Sequence, residues 1–518
     1  MKNILVLFLL ISLYNSGKTQ TFTRSQLPTE LSTPWEMTYG PDGYLWLTEA
    51  GGTVSRVDPN TGAKTIVYVA PDSFEDSPLE QLPLCFMPNI GSGTLGLTLH
   101  PDFLNPANAF IYFLYSYNSG TASAPATKFK IAQLSWDWTT QSVTSKTDIV
   151  TGISTGYDHL GGRLMAIMRD DGKPYLFLSV GDHGISEKNS PDCYVPQSNN
   201  PNNQAQNPDT DNGKIHRFNI DGSIPLDNPI PGNSFYTRGH RNPQGLMYIP
   251  QLDRLFDVEH GDRTDDEVNL LQAGMNYGWK WVRGYHSDNN YPGEAQFIAD
   301  YQPDPRIPGD QLVEAFYSFC AEPQPKNDDY LSWCTPAPSD GIYYNSDGIP
   351  EWKNSLLVVS LKNGTTTDNE VHVLKLTPGG ELMAPSEDFF GADQDVNGRL
   401  RDIAVSPDGK KIFLINNGGE GIADKISIYT VNSITATSDP NDNNSSIELF
   451  PNPASDLVTL RSKEGIVGIK IYNLSGDLVQ DKKESVSSFH VNQLPNGSYF
   501  AKINTASGSY FTKTFIKE

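Results

Sequence analysis

Residues 37–57 read Met-Thr-Tyr-Gly-Pro-Asp-Gly-Tyr-Leu-Trp-Leu-Thr-Glu-Ala-Gly-Gly-Thr-Val-Ser-Arg-Val. Pro41-Asp42-Gly43 is a turn: Pro sets φ, Asp bonds its own backbone, and Gly takes the left-handed conformation. On either side, apolar and polar residues alternate with period two, which predicts paired strands. Gly51-Gly52 marks the next turn before Val54–Val57.

The same unit recurs along the chain. It appears as Leu97–Leu99 with Phe110–Tyr115, and as Met165–Met168, the turn Asp170-Asp171-Gly172, then Leu176–Val180. It returns in Gly245–Tyr248 with Leu255–Val258, and in Gly341–Tyr344, Leu356–Val359 and Val371–Leu374. The last unit is Ile403–Val405, the turn Pro407-Asp408-Gly409, Ile412–Leu414 and Ile426–Thr430. Six sheet-sized repeats predict an all-β, six-bladed β-propeller over residues 21–432, in which each blade buries its faces against its neighbours. A β-sandwich with insertions is the competing architecture. The 44 Gly, 37 Pro and 24 Tyr among 518 residues suit such a turn-rich β protein and argue against a helical bundle.

Around this core, Lys2 and the apolar run Ile4–Leu13 read as an export signal over residues 1–20, too short to span a bilayer. Residues 433–445 are Ser, Thr, Asn, Asp and Pro with almost nothing to bury, hence a linker. A small β-sandwich-like unit is expected over residues 446–518, with strands at Leu457–Leu460, Ile469–Tyr472 and Ser498–Ala501. The formal net charge of −23 repels phosphate, which excludes nucleic acid and anionic membrane as partners. Four cysteines without Cys-x-x-Cys spacing point to disulfides. Cys320 and Cys334 flank a short polar loop and are expected to pair, which leaves Cys85 for Cys193.

Gly239-His240-Arg241-Asn242-Pro243-Gln244-Gly245 reads as a rigid loop that presents a guanidinium beside an amide, a planar donor array suited to carboxylate or quinone oxygens. His159 lies between Asp158 and Gly161-Gly162, in a loop where a ligand can approach closely. Asp182, at the end of a hydrophobic strand, is placed to orient the His159 imidazole and stabilise its cation. Arg399 and Arg401 share one face if the chain is extended, with Asp402 on the other, and Lys362 ends a strand. Gathering Arg241, Lys362, Arg399 and Arg401 at strand ends of an acidic chain calls for a compact polyanionic ligand. Glu259–Glu267 is an oxygen-rich loop of the kind calcium takes, although its spacing is not that of an EF-hand.

These segments resemble the soluble pyrroloquinoline quinone (PQQ)-dependent glucose dehydrogenases of the glucose/sorbosone dehydrogenase family. The resemblance covers roughly residues 30–430 and is carried by Leu99–Phe103, Asp158–Leu164, Gly181–Gly184, Asp221–Pro225, Gly239–Leu246, Asn276–Trp279, Ser360–Lys362 and Arg399–Asp402. It implies a propeller that oxidises an aldose at the anomeric carbon to the lactone. His159 is implied to be the general base, supported by Asp182. Arg241 and Asn242 are implied to hold the quinone oxygens, and Lys362, Arg399, Arg401 and Thr335 the rest of PQQ. Asp158 and Trp333 are implied to contact the sugar, and the carbonyls of Gly261 and Asp262 to hold calcium. An external electron acceptor follows from the chemistry, and a homodimer is left open. Leu449-Phe450-Pro451-Asn452-Pro453 and the late Gly-x-Tyr resemble the C-terminal sorting domains of type IX secretion cargo. That implies sorting machinery as a partner, and a secreted or cell-surface protein exported through the periplasm.

The chain departs from the family pattern at a sugar-contacting Gln, here Gly91, and at a Pro, here Asp262. Of a further calcium site, Tyr285 matches but the following acid is Ser287, with Asp288 beside it. The sugar is therefore open. A non-catalytic propeller that binds a protein or glycan is the alternative reading.

Overall fold

The computed structural model describes residues 20–74, 93–121, 126–155, 159–184, 203–262, 264–288, 291–320, 334–363, 367–383, 385–418, 421–432, 447–462, 465–473, 478–483, 487–505 and 510–518. Residues 1–19 of the expected leader at 1–20, and the expected linker at 433–445, lie outside these residues. The chain divides into two compact units, Met1–Asn432 and Ser433–Glu518.

The first unit is all-β. Its described residues form six four-stranded antiparallel sheets, each ordered from an inner to an outer strand. The first holds Pro34–Tyr39, Leu45–Glu49, Thr53–Val57 and Lys64–Val69; the second holds Thr94–Leu99, Phe110–Asn118, Thr127–Asp137 and Ser142–Ile153. Gly161–Met168, Pro174–Val180, Lys214–Asn219 and Phe235–Arg238 form the third, and Pro243–Ile249, Arg254–Glu259, Glu267–Leu271 and Tyr317–Ser318 the fourth. The fifth is Pro338–Tyr344, Ser355–Ser360, Val371–Lys375 and Glu387–Phe389. The sixth takes Leu400–Val405, Lys411–Asn416 and Lys425–Val431 from the end of the unit and its outer strand, Phe22–Gln26, from the beginning. Thr23 and Asn432, 409 residues apart, share a side-chain hydrogen bond of 2.7 Å at that seam.

Turn chemistry acts as the sequence predicts. Gly43, Gly172 and Gly409 adopt φ of 84°, 76° and 70° and close the first hairpins of the first, third and sixth sheets. Apolar layers lie between successive sheets. Trp46 meets Phe113 between the first and second, Leu114 meets Leu164 between the second and third, and Phe177 meets Leu246 between the third and fourth. Met247 meets Leu356 and Leu357 meets Leu414 in the next two layers. The sixth sheet then packs on the first through Phe413, Ile415, Met37 and Leu47. A sheet with two buried faces explains why the second strands, such as Leu45–Glu49 and Ser355–Ser360, are buried throughout.

All six inner strands carry a register shift near their start, at Pro34/Met37, Thr94/Leu97, Gly161/Leu164, Pro243/Gly245, Pro338/Asp340 and Leu400/Asp402. Bulges re-aim side chains away from the pleat. Glu36, Arg163, Gln244, Ser339 and Arg401 lie within these irregular steps, and they meet. Arg163, 2% exposed, places Nη1 2.6 Å from Glu36 Oε2 and 2.6 Å from Asp402 Oδ2, and Nε 3.2 Å from Asp340 Oδ1. It also donates to the carbonyls of Gln244 at 2.9 Å and Ser339 at 3.1 Å. One guanidinium thus fastens inner strands of four other sheets.

The second unit holds a three-stranded sheet, Glu448–Phe450, Leu457–Arg461 and Ser488–His490, and a four-stranded sheet, Leu478–Lys483, Ile466–Tyr472, Gly497–Thr505 and Tyr510–Lys517. Val458, Leu460, Ile469, Ile471, Phe489 and Phe515 form one core shared by both.

Two stability predictions follow from these contacts. Arg163→Met leaves three buried carboxylates without their counter-charge and is expected to cost about 3–5 kcal/mol, read as a lowered urea midpoint of the first unit. His372 in the fifth sheet is buried, which pulls its pKa down, but Asp368 at 3.1 Å and Asp388 at 2.8 Å outweigh this and raise it to about 9 from 6.5. A raised folded pKa gives stability fully present below pH 6.5 and lost as pH climbs through about 9. Urea midpoints measured across that window are expected to fall in the parent, and to fall less in His372→Gln.

Candidate active site

The six bulged strand starts bring loops together at one end of the inner strands. The His159–Asp182 pair stands there. Nδ1 of His159 lies 2.7 Å from Asp182 Oδ1, and both side chains are buried. Asp182 is saturated with donors: the Gly184 N–H at 2.8 Å, the Asn203 amide at 2.7 Å and the Trp279 indole N–H at 2.7 Å. Burial alone would raise its pKa, but His159, Arg241 and the Gly184 N–H outweigh burial and hold the carboxyl below its ordinary value. Nδ1 of the His159 imidazole is committed to Asp182. His159 takes φ of 47°, a strained value for a non-glycine residue. The close packing that holds it there needs Gly181, where a Cβ would come within 1.9 Å of the His159 carbonyl oxygen.

The heptapeptide is less of a loop than its composition predicts: a strand begins at Pro243, where the missing N–H costs no ladder bond. Gly239–Asn242 remain outside it. The Arg241 carbonyl accepts the Asp182 N–H at 2.7 Å, which ties the two segments. Its own N–H reaches Glu259 Oε2 at 2.8 Å, and its Nη1 donates to the His260 carbonyl at 3.1 Å. Asn242 spends its amide oxygen inside the protein, on the Gly161 N–H at 3.2 Å and Gln244 at 2.8 Å, so only its Nδ2 donor is left for a ligand.

The acidic loop folds beneath Arg241. The Gly261 N–H donates to Asp266 Oδ1 at 2.7 Å, and Asp266 Oδ2 takes the Ala337 N–H at 2.7 Å. A Cβ at Gly261 would stand 2.0 Å from the Thr264 carbonyl oxygen, so only glycine fits. Asp262 lies 3.9 Å from Arg241 and 3.4 Å from Arg283. Thr335 is half-buried beside Cys334, whose disulfide to Cys320 spans a Cα separation of 5.9 Å. Because the Cys320 carbonyl accepts the Asp265 N–H at 3.0 Å, that bridge holds the Thr335 segment next to the acidic loop. Asp288 turns back to accept the Tyr285 N–H at 3.3 Å.

Electrostatic neighbours show that the predicted cations converge. Burial raises the Asp266 pKa to about 7, opposed by the positive charges of Arg241 and Lys362. Burial lowers that of His260, and Arg241, His159, Arg401 and Arg399 all add to the effect. Arg401 bonds neutral amides: Gln244 at 2.8 Å and, with its side chain in the other amide orientation, Asn417 at 3.0 Å. Its pKa is pushed down to about 9 by burial and then by the charges of Arg399 and Arg163. Among the described residues, no carboxylate lies within ion-pair distance of Lys362, Arg399 or Arg401. Asp402 turns to Arg163.

Asp158, Trp333, Cys85, Cys193 and Gly91 lie outside the described residues. Composition missed several neighbours of the site. Trp279 was quoted only as part of a motif, yet its N–H anchors Asp182 and its ring lies 5.5 Å from Arg241 and 4.9 Å from Arg283. Arg283 is a further buried cation, and Asn203 and Gln244 carry no signal beyond being polar.

The sequence model for glucose / sorbosone dehydrogenase matches residues 31–310 and 317–424, and that for the secretion system C-terminal sorting domain matches residues 448–518. The quinoprotein glucose dehydrogenase B of Acinetobacter calcoaceticus is 30% identical over 78% of this chain and 87% of its own length. An aldose sugar dehydrogenase of Escherichia coli is 27% identical over 77% of this chain and 91% of its own. Among solved structures, the PQQ-bound aldose sugar dehydrogenase of Streptomyces coelicolor superposes with a TM-score of 0.54 at 22% identity, covering 80% of this chain and 99% of that one, a likeness of fold. Fold and site thus define an oxidoreductase of the sugar-dehydrogenase class. The chain belongs to the glucose/sorbosone dehydrogenase family, and its second unit is a sorting domain that indicates export to the medium or the cell surface.

Asp182→Asn sets an amide NH2 against at least one of four donors. A loss of about 1–3 kcal/mol in unfolding free energy is expected, and an unchanged urea midpoint would contradict the donor count.

Proposed function

We propose that the chain is a six-bladed β-propeller that oxidises an aldose at the anomeric carbon to its lactone, with PQQ and calcium as cofactors. The observation that carries this reading is the set of cations, buried Lys362 and Arg401 with half-buried Arg399, that lack carboxylate partners among the described residues. Buried like charges are costly unless an anion lies between them, and a flat tricarboxylate supplies one. The buried Nε of Arg241 and Nε2 of His260, without hydrogen-bond partners among the described residues, fit the same occupant. The carbonyls of Gly261 and Asp262 are the oxygen donors for calcium, a hard cation. The Acinetobacter relative is named a quinoprotein, which supports the assignment.

When bound, PQQ supplies the two-electron acceptor for the hydride leaving the sugar, and calcium polarises it. The protein's own part is to hold and to move a proton. His159 Nε2 takes the proton of the anomeric hydroxyl, and Asp182 stabilises the resulting imidazolium through Nδ1. Arg241 and the Nδ2 of Asn242 orient the quinone edge, while Lys362, Arg399, Arg401 and Thr335 bind the carboxylate side. Asp158 and Trp333 contact the sugar. An external acceptor then reoxidises the cofactor. The leader at 1–20 takes the chain to the periplasm, the sorting unit takes it onward, and a homodimer is compatible with this scheme.

The test is reconstitution of purified protein with calcium and PQQ, followed by dye reduction across a panel of aldoses. Turnover on at least one aldose is expected. His159→Ala is expected to keep quinone binding, read from the absorbance of the bound quinone, while kcat falls about 10²–10⁴-fold. Equal turnover in the variant removes His159 from the reaction.

A further inference from the structure

Behind the Arg241 loop lies a second group of ionisable side chains that the reaction does not use. His240 and Asp257 are fully buried, and Glu259 is 3% exposed. Asp257 and Glu259 are two residues apart on Arg254–Glu259 and so share a face. On the adjacent strand, Asn269 pairs with Asp257 and Glu267 pairs with Glu259. Two acids directly opposite each other in a sheet destabilise it. Among the described residues, no lysine or arginine side chain lies within ion-pair distance of these three carboxylates.

The distances bear on what sits between them. His240 Nδ1 is 3.2 Å from Asp257 Oδ2 and 3.3 Å from Glu259 Oε1. A charge-assisted N–H···O bond is shorter, about 2.7–2.9 Å, and one N–H cannot point along both directions. Donor atoms around a tetrahedral ion with bonds of roughly 2.0–2.1 Å stand about 3.3 Å apart. The other ring nitrogen, Nε2, is held by Thr237 Oγ1 at 2.8 Å, the outer-shell bond that fixes a ligating imidazole. Among the described residues, neither Asp257 oxygen has a well-aligned hydrogen bond, and nor does the side-chain oxygen of the fully buried Asn269. The amide nitrogen of Asn269 meanwhile supports Glu259 at 2.9 Å and Glu267 at 3.1 Å.

We propose that His240, Asp257 and Glu259 bind a first-row divalent cation of the zinc type, with the Asn269 oxygen or a water completing its shell. An imidazole nitrogen and such close donors disfavour calcium, which takes six to eight oxygens at about 2.3–2.6 Å. The ion has a structural task. Glu259 Oε1 faces the ion while Oε2 accepts the Arg241 N–H at 2.8 Å, so the metal fixes the segment that carries Arg241.

The experiment needs neither PQQ nor turnover, so it can fail without touching the proposed reaction. Untagged full-length protein is stripped with a strong chelator and titrated with Co²⁺ alone in calcium-free buffer. One equivalent per chain is expected, with the intense visible absorption of four-coordinate cobalt, displaced by Zn²⁺. Asp257→Asn and His240→Gln are expected to lose that equivalent. The unsubstituted protein decides the matter even if the variants do not fold. Binding of less than a tenth of an equivalent overturns the proposal, as does a signal that survives both substitutions in folded protein.

Discussion

The buried guanidinium of Arg163 is the contact on which the rest of the first unit depends. It stands in the third sheet and reaches Glu36 of the first, Gln244 of the fourth, Ser339 and Asp340 of the fifth and Asp402 of the sixth. A planar fork with five donors can serve so many partners; a lysine cannot. The bulge in each inner strand makes this possible, because a regular pleat would send those side chains into the layers between sheets. The same Asp402 also accepts the Met37 N–H at 2.8 Å, which joins the sixth sheet to the first at this point.

This arrangement also governs the charge of the site. Three carboxylates meet one guanidinium at the hub, and burial raises the pKa of two of them, Glu36 and Asp340, well above the ordinary carboxylate range. Asp402 and Asp340 favour the charged form of Arg401 across it. Arg401 thus draws part of its balance from the hub rather than from a salt bridge of its own. An acidic chain can in this way present a local positive surface without long-range attraction for polyanions.

Much of this was legible in the sequence. Gly43, Gly172 and Gly409 punctuate strands as turn chemistry requires, and alternation around Met37–Val57 marks sheets rather than helices. His159 with Asp182, and the cations at strand ends, could be singled out because residue type and position together imply chemistry. The hub could not be read. Glu36, Arg163, Asp340 and Asp402 are scattered polar residues within apolar strands, and only the tertiary fold makes them neighbours. Periodicity likewise gives no sign of a one-residue irregularity, so the bulges were invisible, and Pro243 read as loop although it opens a strand. Phe22–Gln26 is mostly polar and exposed, with no pattern to announce that its partner is Lys425–Val431.

That last pairing has a consequence for the order of events in biogenesis. The outermost strand of the sixth sheet lies near the start of the first unit, yet its partner lies at that unit's end. Until residue 431 is available, residues 22–26 have no ladder to join and the sixth sheet cannot be completed. Long-range closure of this kind is slow, because the entropy of the intervening chain is lost before the contacts compensate. The architecture therefore withholds completion until the whole first unit is present, and a chain cut short before Lys425 leaves Phe22–Gln26 with no strand to pair with.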